Sequence, residues 1–145
     1  MLKDRYVYPA VFDYTYDNTG QPEAITVTFP NLPGAITEGS NEEEAVHNAK
    51  ECLSLHLYGM ERDGDEIPSP SSLRDITLDS ADQVVTFIDV WMPPFRDHMA
   101  EKAVKKTLTI PRWLDDLATE QNVNFSRVLQ DGLKSYLGVS ERKVP

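Results

Sequence analysis

Carboxylates, three histidines and one cysteine are the side chains of this 145-residue chain that could carry catalysis, and their spacing does not favour it. Two-cation phosphodiester hydrolysis needs several carboxylates converging on the metals. Asp13 and Asp89 fall in strand-like stretches and are the only obvious candidates; no convincing third and fourth partner stands out, Glu51 on a helical stretch being a guess, so surface acid is the better reading. His47, His56 and His98 lack zinc-ligand spacing. His56 shares a helix's apolar stripe and reads as core packing. Cys52, the single cysteine, excludes an intrachain disulfide and a multi-cysteine zinc site and fits a reducing cytosol. Beside Leu53 it reads as a small buried hydrophobe. No catalytic set, metal site or cofactor is expected.

A different chemistry, recognition of nucleic acid, is written in the last third of the chain. In Lys105-Lys106-Thr107-Leu108-Thr109-Ile110 the odd positions share one face of a strand, while Leu108 and Ile110 share the other. Lysine can donate to guanine edges, and threonine can bond a base edge or pack on a thymine methyl. Lys102 and Lys106 are better placed for phosphate. Further on, Asn124 is suited to cap a helix. The free amides of Phe125 and Ser126 would then face outward at a positive helix end, where the Ser126 hydroxyl and Arg127 could help clamp a phosphate.

Charge supports that division. Residues 1–100 hold six Lys/Arg against eighteen Asp/Glu, net −12; residues 101–145 hold eight against six, net +2. The first block would repel phosphate, so nucleic-acid contact belongs in the tail, and the acid suits a basic protein partner. No run approaches the roughly 18 apolar residues of a membrane span. Met1-Leu2-Lys3-Asp4-Arg5 does not lead into a signal-peptide core. A cytoplasmic protein is expected.

The elements that must position these residues follow from periodicity. Tyr6 to Tyr16 alternates with Tyr8, Ala10, Phe12, Tyr14 and Tyr16 on one side, and Pro9 points to an edge strand or one not fully paired. The turn formers Asp17-Asn18-Thr19-Gly20-Gln21-Pro22 join it to Ala24–Phe29 in a hairpin. Ala35-Ile36-Thr37 is a short third strand. Ser40 with Glu43 reads as a capping box opening a helix to about Arg62, stopped by Gly64. Its stripe is Ala45, Ala49, Cys52, Leu53, His56, Leu57 and Met60. Residues 73–82 show no clear period. Val84–Trp91 is apolar on both sides and is expected to be central or covered on both faces. Pro93-Pro94 cannot continue a strand, so a linker is placed at 92–102. The order β-β-β-α-β predicts an α+β layer.

Several pieces of this domain resemble the HicB antitoxin family. They are Phe29-Pro30-Asn31-Leu32-Pro33-Gly34, Thr37-Glu38-Gly39, Glu43-Glu44-Ala45, Ala49 and Ile67-Pro68-Ser69-Pro70. The resemblance implies a partial ribonuclease-H-like fold over residues 1–91 that binds and blocks HicA, a small basic toxin that cleaves mRNA. Aromatic residues ringed by acid fit such a partner; Asp13, Tyr14, Tyr16, Asp17, Glu42, Glu43 and Glu44 are the candidate contacts. A stacking platform for single-stranded RNA is disfavoured by the −12 charge.

Residues 103–145 resemble a ribbon-helix-helix module (β-α-α), which exists only as an intertwined dimer. The resemblance makes Lys105, Thr107 and Thr109 the base readers. Pro111 opens the first helix, whose inward stripe includes Leu114 and Leu117; Asn122 takes a left-handed conformation. The second helix carries Val128, Leu129, Gly132, Leu133 and Tyr136. Together with Leu108 and Ile110, these form the expected homodimer interface, with tetramers a further possibility. The favoured reading is an antitoxin that also represses its own operon by binding operator DNA. A ribbon-helix-helix repressor with a ligand-sensing first domain and a metal-dependent nuclease are the alternatives.

Overall fold

In the computed structural model, which describes residues 2–142, the chain forms two compact units, the first ending at Lys102 and the second beginning at Ala103. The first unit is a mixed α+β layer. Strands β1 (Arg5–Tyr16), β2 (Pro22–Thr28), β3 (Ile36–Gly39) and β4 (Gln83–Trp91) make one antiparallel sheet in the order β3-β2-β1-β4. The hairpin is closed by Asp17, whose carboxylate accepts from the backbone N–H groups of Thr19 (2.8 Å) and Gln21 (3.0 Å), while Gly20 supplies the left-handed step.

The core lies between one sheet face and α1 (Glu42–Asp63). Tyr6, Tyr8, Ala10 and Phe12 of β1 share this face with Ile25 and Val27 of β2 and with Ile88 and Val90 of β4. Ala45, Ala49, Leu53 and Leu57 close it from α1. Each large side chain so buried contributes about 1.5–3 kcal/mol. Gly64 ends α1 in the left-handed conformation, as its sequence position predicts.

Three expectations need correction. The helix cap is Asn41, whose side chain accepts from the Glu44 N–H, and Glu44 rather than Glu43 reaches back to the Ser40 N–H at 2.7 Å. Asn41 is as good a cap as Ser40, so the box slides by one residue. Strand β4 is an edge, not a central strand. Pro9, by contrast, meets its expectation of a strand not fully paired: β1 is interior, but before Val11 it pairs with β4 alone. The expected linker is helix α2 (Met92–Glu101), with Pro93 and Pro94 in its first turn, where missing amides cost nothing. Its Met92 is buried, and Phe95 meets Tyr58 edge to face at 6.0 Å. A single 3-10 turn, Leu73–Asp75, orders the stretch without a period.

The second unit holds α3 (Arg112–Glu120) and α4 (Phe125–Leu137), preceded by residues 103–111 without regular structure. Pro111 caps α3 instead of occupying its first turn. Asn122 is left-handed (φ 52°), and Asn124 caps α4 by accepting from the Arg127 N–H at 3.0 Å. None of the described residues of this unit is buried.

Candidate functional site

The motif residues Asn31 to Gly39 and Ile67 to Pro70 prove to be joints of the fold. Asn31 Nδ2 donates to Ser71 Oγ at 2.6 Å, and the Ser71 N–H returns a bond to Asn31 Oδ1 at 3.1 Å. The Tyr8 hydroxyl donates to the Pro68 carbonyl, so the turn and the later proline segment are fastened to each other and to β1. Leu32 is buried and Gly34 is left-handed (φ 92°). A Cβ on Gly39 would lie 2.7 Å from Ala45 Cα, so only glycine lets β3 approach α1. Asn48 Nδ2 and Cys52 Sγ then donate to the Glu38 and Ile36 carbonyls, closing the β3 edge. Cys52 is half-buried, and that burial pushes its thiol pKa up, away from reactive thiolate.

The carboxylates of the nuclease alternative are held apart. Asp13 accepts from Gln83 Nε2 at 3.0 Å at one end of the β1–β4 ladder. Asp89, at the other end, is engaged by Arg5 (2.8 Å) and Lys50 (3.7 Å). Six strand residues separate the two, about 20 Å at the strand rise and far beyond a shared cation. Glu51 faces His47 at 3.7 Å. Among the described residues no three His, Cys, Asp or Glu side chains converge as metal ligands. His56 is half-buried and lines an open cleft of about 360 Å³ with Pro33, Met60 and Glu66.

The acidic contact candidates divide in a way the sequence does not show. Tyr14 and Glu42 come together, hydroxyl to carboxylate at 3.4 Å; partial burial, then the Glu42 charge, pushes the Tyr14 pKa up. Asp13 lies on the opposite sheet face from Tyr14. Asp17 and Glu44 are held by local turn and cap bonds, which depress both pKa values; the Thr19 and Ser40 hydroxyls are the leading donors. Tyr16, Glu42 and Glu43 are solvent-exposed.

One network escaped the sequence reading. Glu61, its side chain 3% exposed, accepts from Arg96 Nη2 (2.7 Å) and Nε (3.0 Å) and from the Tyr6 hydroxyl (3.3 Å). Arg96 also donates to the Lys3 carbonyl at 2.5 Å, tying α2, α1 and the start of β1 into one knot. The Glu61 bonds raise the Arg96 pKa; burial, then Glu61, raises that of Tyr6.

Every candidate base or phosphate contact is exposed: Lys102 at the end of the first unit, and Lys105, Lys106, Thr107, Thr109, Asn124, Phe125, Ser126 and Arg127 in the second. The apolar stripe is equally bare. Leu108, Ile110, Leu114, Leu117, Val128 and Leu133 are 40–60% exposed, Tyr136 is 90% exposed, and only Leu129 is partly covered. A Cβ on Gly132 would meet nothing within 4 Å.

Comparison with known proteins places this geometry. A family model described as the HicB-like antitoxin of bacterial toxin-antitoxin systems matches residues 8–131. The chain belongs to the HicB-like antitoxin family. This HicB-like chain is 32% identical over 94 residues to a 14.9 kDa protein from the rep-hol intergenic region of Haemophilus phage HP1, covering 63% of the chain and 68% of the phage protein. A toxin-antitoxin complex from Streptococcus pneumoniae contains a chain 28% identical, with a TM-score of 0.57, covering 91% of the HicB-like chain and 99% of the pneumococcal one. The Burkholderia pseudomallei antitoxin HicB, 17% identical with a TM-score of 0.50 and coverage of 88% and 96%, shares the fold. No helix of the HicB-like chain is long and apolar enough to cross a membrane, among the described residues.

Proposed function

We propose that the chain is a non-enzymatic, cytoplasmic antitoxin whose first unit binds and blocks a small basic HicA-like ribonuclease, and whose second unit dimerises to bind operator DNA. The observation that carries this reading is the charge division. A −12 block repels nucleic acid but attracts a basic protein, while the +2 tail holds the lysines and threonines. The first unit is read as a partial ribonuclease-H-like layer that has lost its catalytic carboxylates, since Asp13 and Asp89 stand at opposite ends of the ladder. Tyr14, Tyr16, Glu42 and Glu43 form the acidic aromatic rim that meets the toxin.

The second unit is read as a ribbon-helix-helix module. Residues 105–110 have no strand partner in one chain, and the helices expose the stripe a dimer would cover. Two copies pairing Lys105–Ile110 antiparallel would present two lysines and four threonines to the major groove. The α4 N-terminus, with the Phe125 and Ser126 amides, would hold a phosphate. Co-expression with the product of a small basic reading frame beside this gene tests the proposal. Co-purification and restored growth are expected; independent purification with unrelieved toxicity would refute it.

A further inference from the structure

The cleft beside His56 serves neither the core nor the acidic rim. Leu32 and Pro33 of the turn, Met60 of α1 and Pro68 give it apolar walls, and His56 and Glu66 are its titratable members. Those walls are tied down. Asn31 uses both ends of its amide on Ser71, and the Pro68 carbonyl accepts from the Tyr8 hydroxyl. The Met60 carbonyl accepts from the Asp65 N–H at 3.0 Å, which sets the segment that carries Glu66. Within this frame neither the His56 imidazole nor the Glu66 carboxylate makes a hydrogen bond or ion pair among the described residues. About 360 Å³ of open space thus brings two unpaired polar groups between apolar walls, the pattern of a site that awaits a ligand.

The polar groups select the occupant. A carboxylate only accepts, a neutral imidazole offers one acceptor, and the Asn31 amide is already taken. Among the described residues no lysine or arginine lines the cleft, so a phosphate or carboxylate ligand would meet Glu66 with nothing to offset it. The end of α1 and the turn after it carry Arg62 against Asp63, Asp65 and Glu66, a net charge of −2. A cation on an apolar stem satisfies both features: the stem packs between Met60 and the prolines while the head donates to Glu66. Arginine suits the site better than lysine, because its planar head holds five donors and stacks on flat rings such as imidazole. Position along α1 says what brings it. His56 follows Glu42 by 14 positions, close to four helical turns, so the cleft and the Tyr14–Glu42 rim lie on one side of α1, about 21 Å apart. A single protein interface of ordinary size, about 800 Å² per partner, covers both.

We propose that this cleft receives one arginine side chain of the basic ribonuclease, with Glu66 as its counter-charge and the His56 ring against its plane. The inference rests on the antitoxin reading above and adds to the rim a second anchor at the other end of α1. Inhibition of a small basic HicA-like ribonuclease by the full chain tests it. Glu66→Lys reverses a charge that no bond of the fold uses, and it should weaken inhibition about tenfold. Asp63→Lys makes the same change of net charge on the same turn but outside the cleft, and should weaken inhibition by about twofold at most. Equal losses from the two variants, or no loss from Glu66→Lys, overturn the proposal. A double-mutant cycle identifies the side chain, each arginine of the ribonuclease being replaced in turn by alanine. One such arginine should contribute about threefold to binding of the wild-type chain and nothing to binding of Glu66→Gln. Coupling to no arginine, or to a lysine in its place, overturns the assignment. Failure of the antitoxin reading looks different: the wild-type chain would leave cleavage untouched, and the inference would fall with it.

Discussion

Gly39 marks how a recognisable motif acts through packing. A methyl there would collide with the Ala45 backbone, which cannot yield without lifting α1 from the sheet. Gly39→Ala should therefore cost about 1–3 kcal/mol, read as a lower urea midpoint. Glu61→Ala should cost about 3 kcal/mol, because it leaves the Arg96 guanidinium without its buried partner. Asp17 and Glu44 set an acid limit: their folded pKa values lie below the ordinary 3.8 and 4.5. Their contribution is complete above those values and fades as pH falls through the folded ones. Asp17→Asn and Glu44→Gln should flatten the loss of stability measured below about pH 4, the region of ordinary carboxylate titration. Residues with special backbone chemistry, Gly64, Asn122 and Asn124, were legible from sequence because few side chains suit those conformations. The Arg96–Glu61 pair was not, since 35 residues separate two ordinary surface types and only the packing of α2 on α1 unites them.

At the scale of elements, the hairpin, the long helix and the strand order β-β-β-α-β could be read from alternation and turn chemistry. The role of β4 could not. An apolar run looks alike in the middle of a sheet and at an edge, and only the order β3-β2-β1-β4 separates the two. The prolines after Trp91 end a strand, but their fixed φ equally starts a helix, so the expected linker became α2. In the tail, helix boundaries were legible, while the expected strand at 105–110 has no regular structure in the single chain. Thr107→Ala should relax base preference in operator retardation assays. Lys106→Ala should weaken binding to all sequences and reduce the salt slope by about 1. Gly132→Ala would stabilise an isolated helix by about 1 kcal/mol. With a partner helix packed against α4 it should instead weaken the dimer, read as a lower, concentration-dependent melting temperature.

For the whole molecule, charge divides between the two units, −12 against +2, and the proposed function gives each unit its own partner. The functions should therefore separate by mutation: Leu133→Asp should abolish operator retention while leaving toxin inhibition intact. The central claim is tested most directly by titrating the purified chain into an mRNA-cleavage assay of a small basic HicA-like ribonuclease. Cleavage should stop at about one chain per toxin. Charge reversal at the acidic rim, Glu42→Lys with Glu43→Lys, should restore it, as like charge opposes association by several kcal/mol. Cleavage that continues undiminished in a molar excess of the chain would contradict the account.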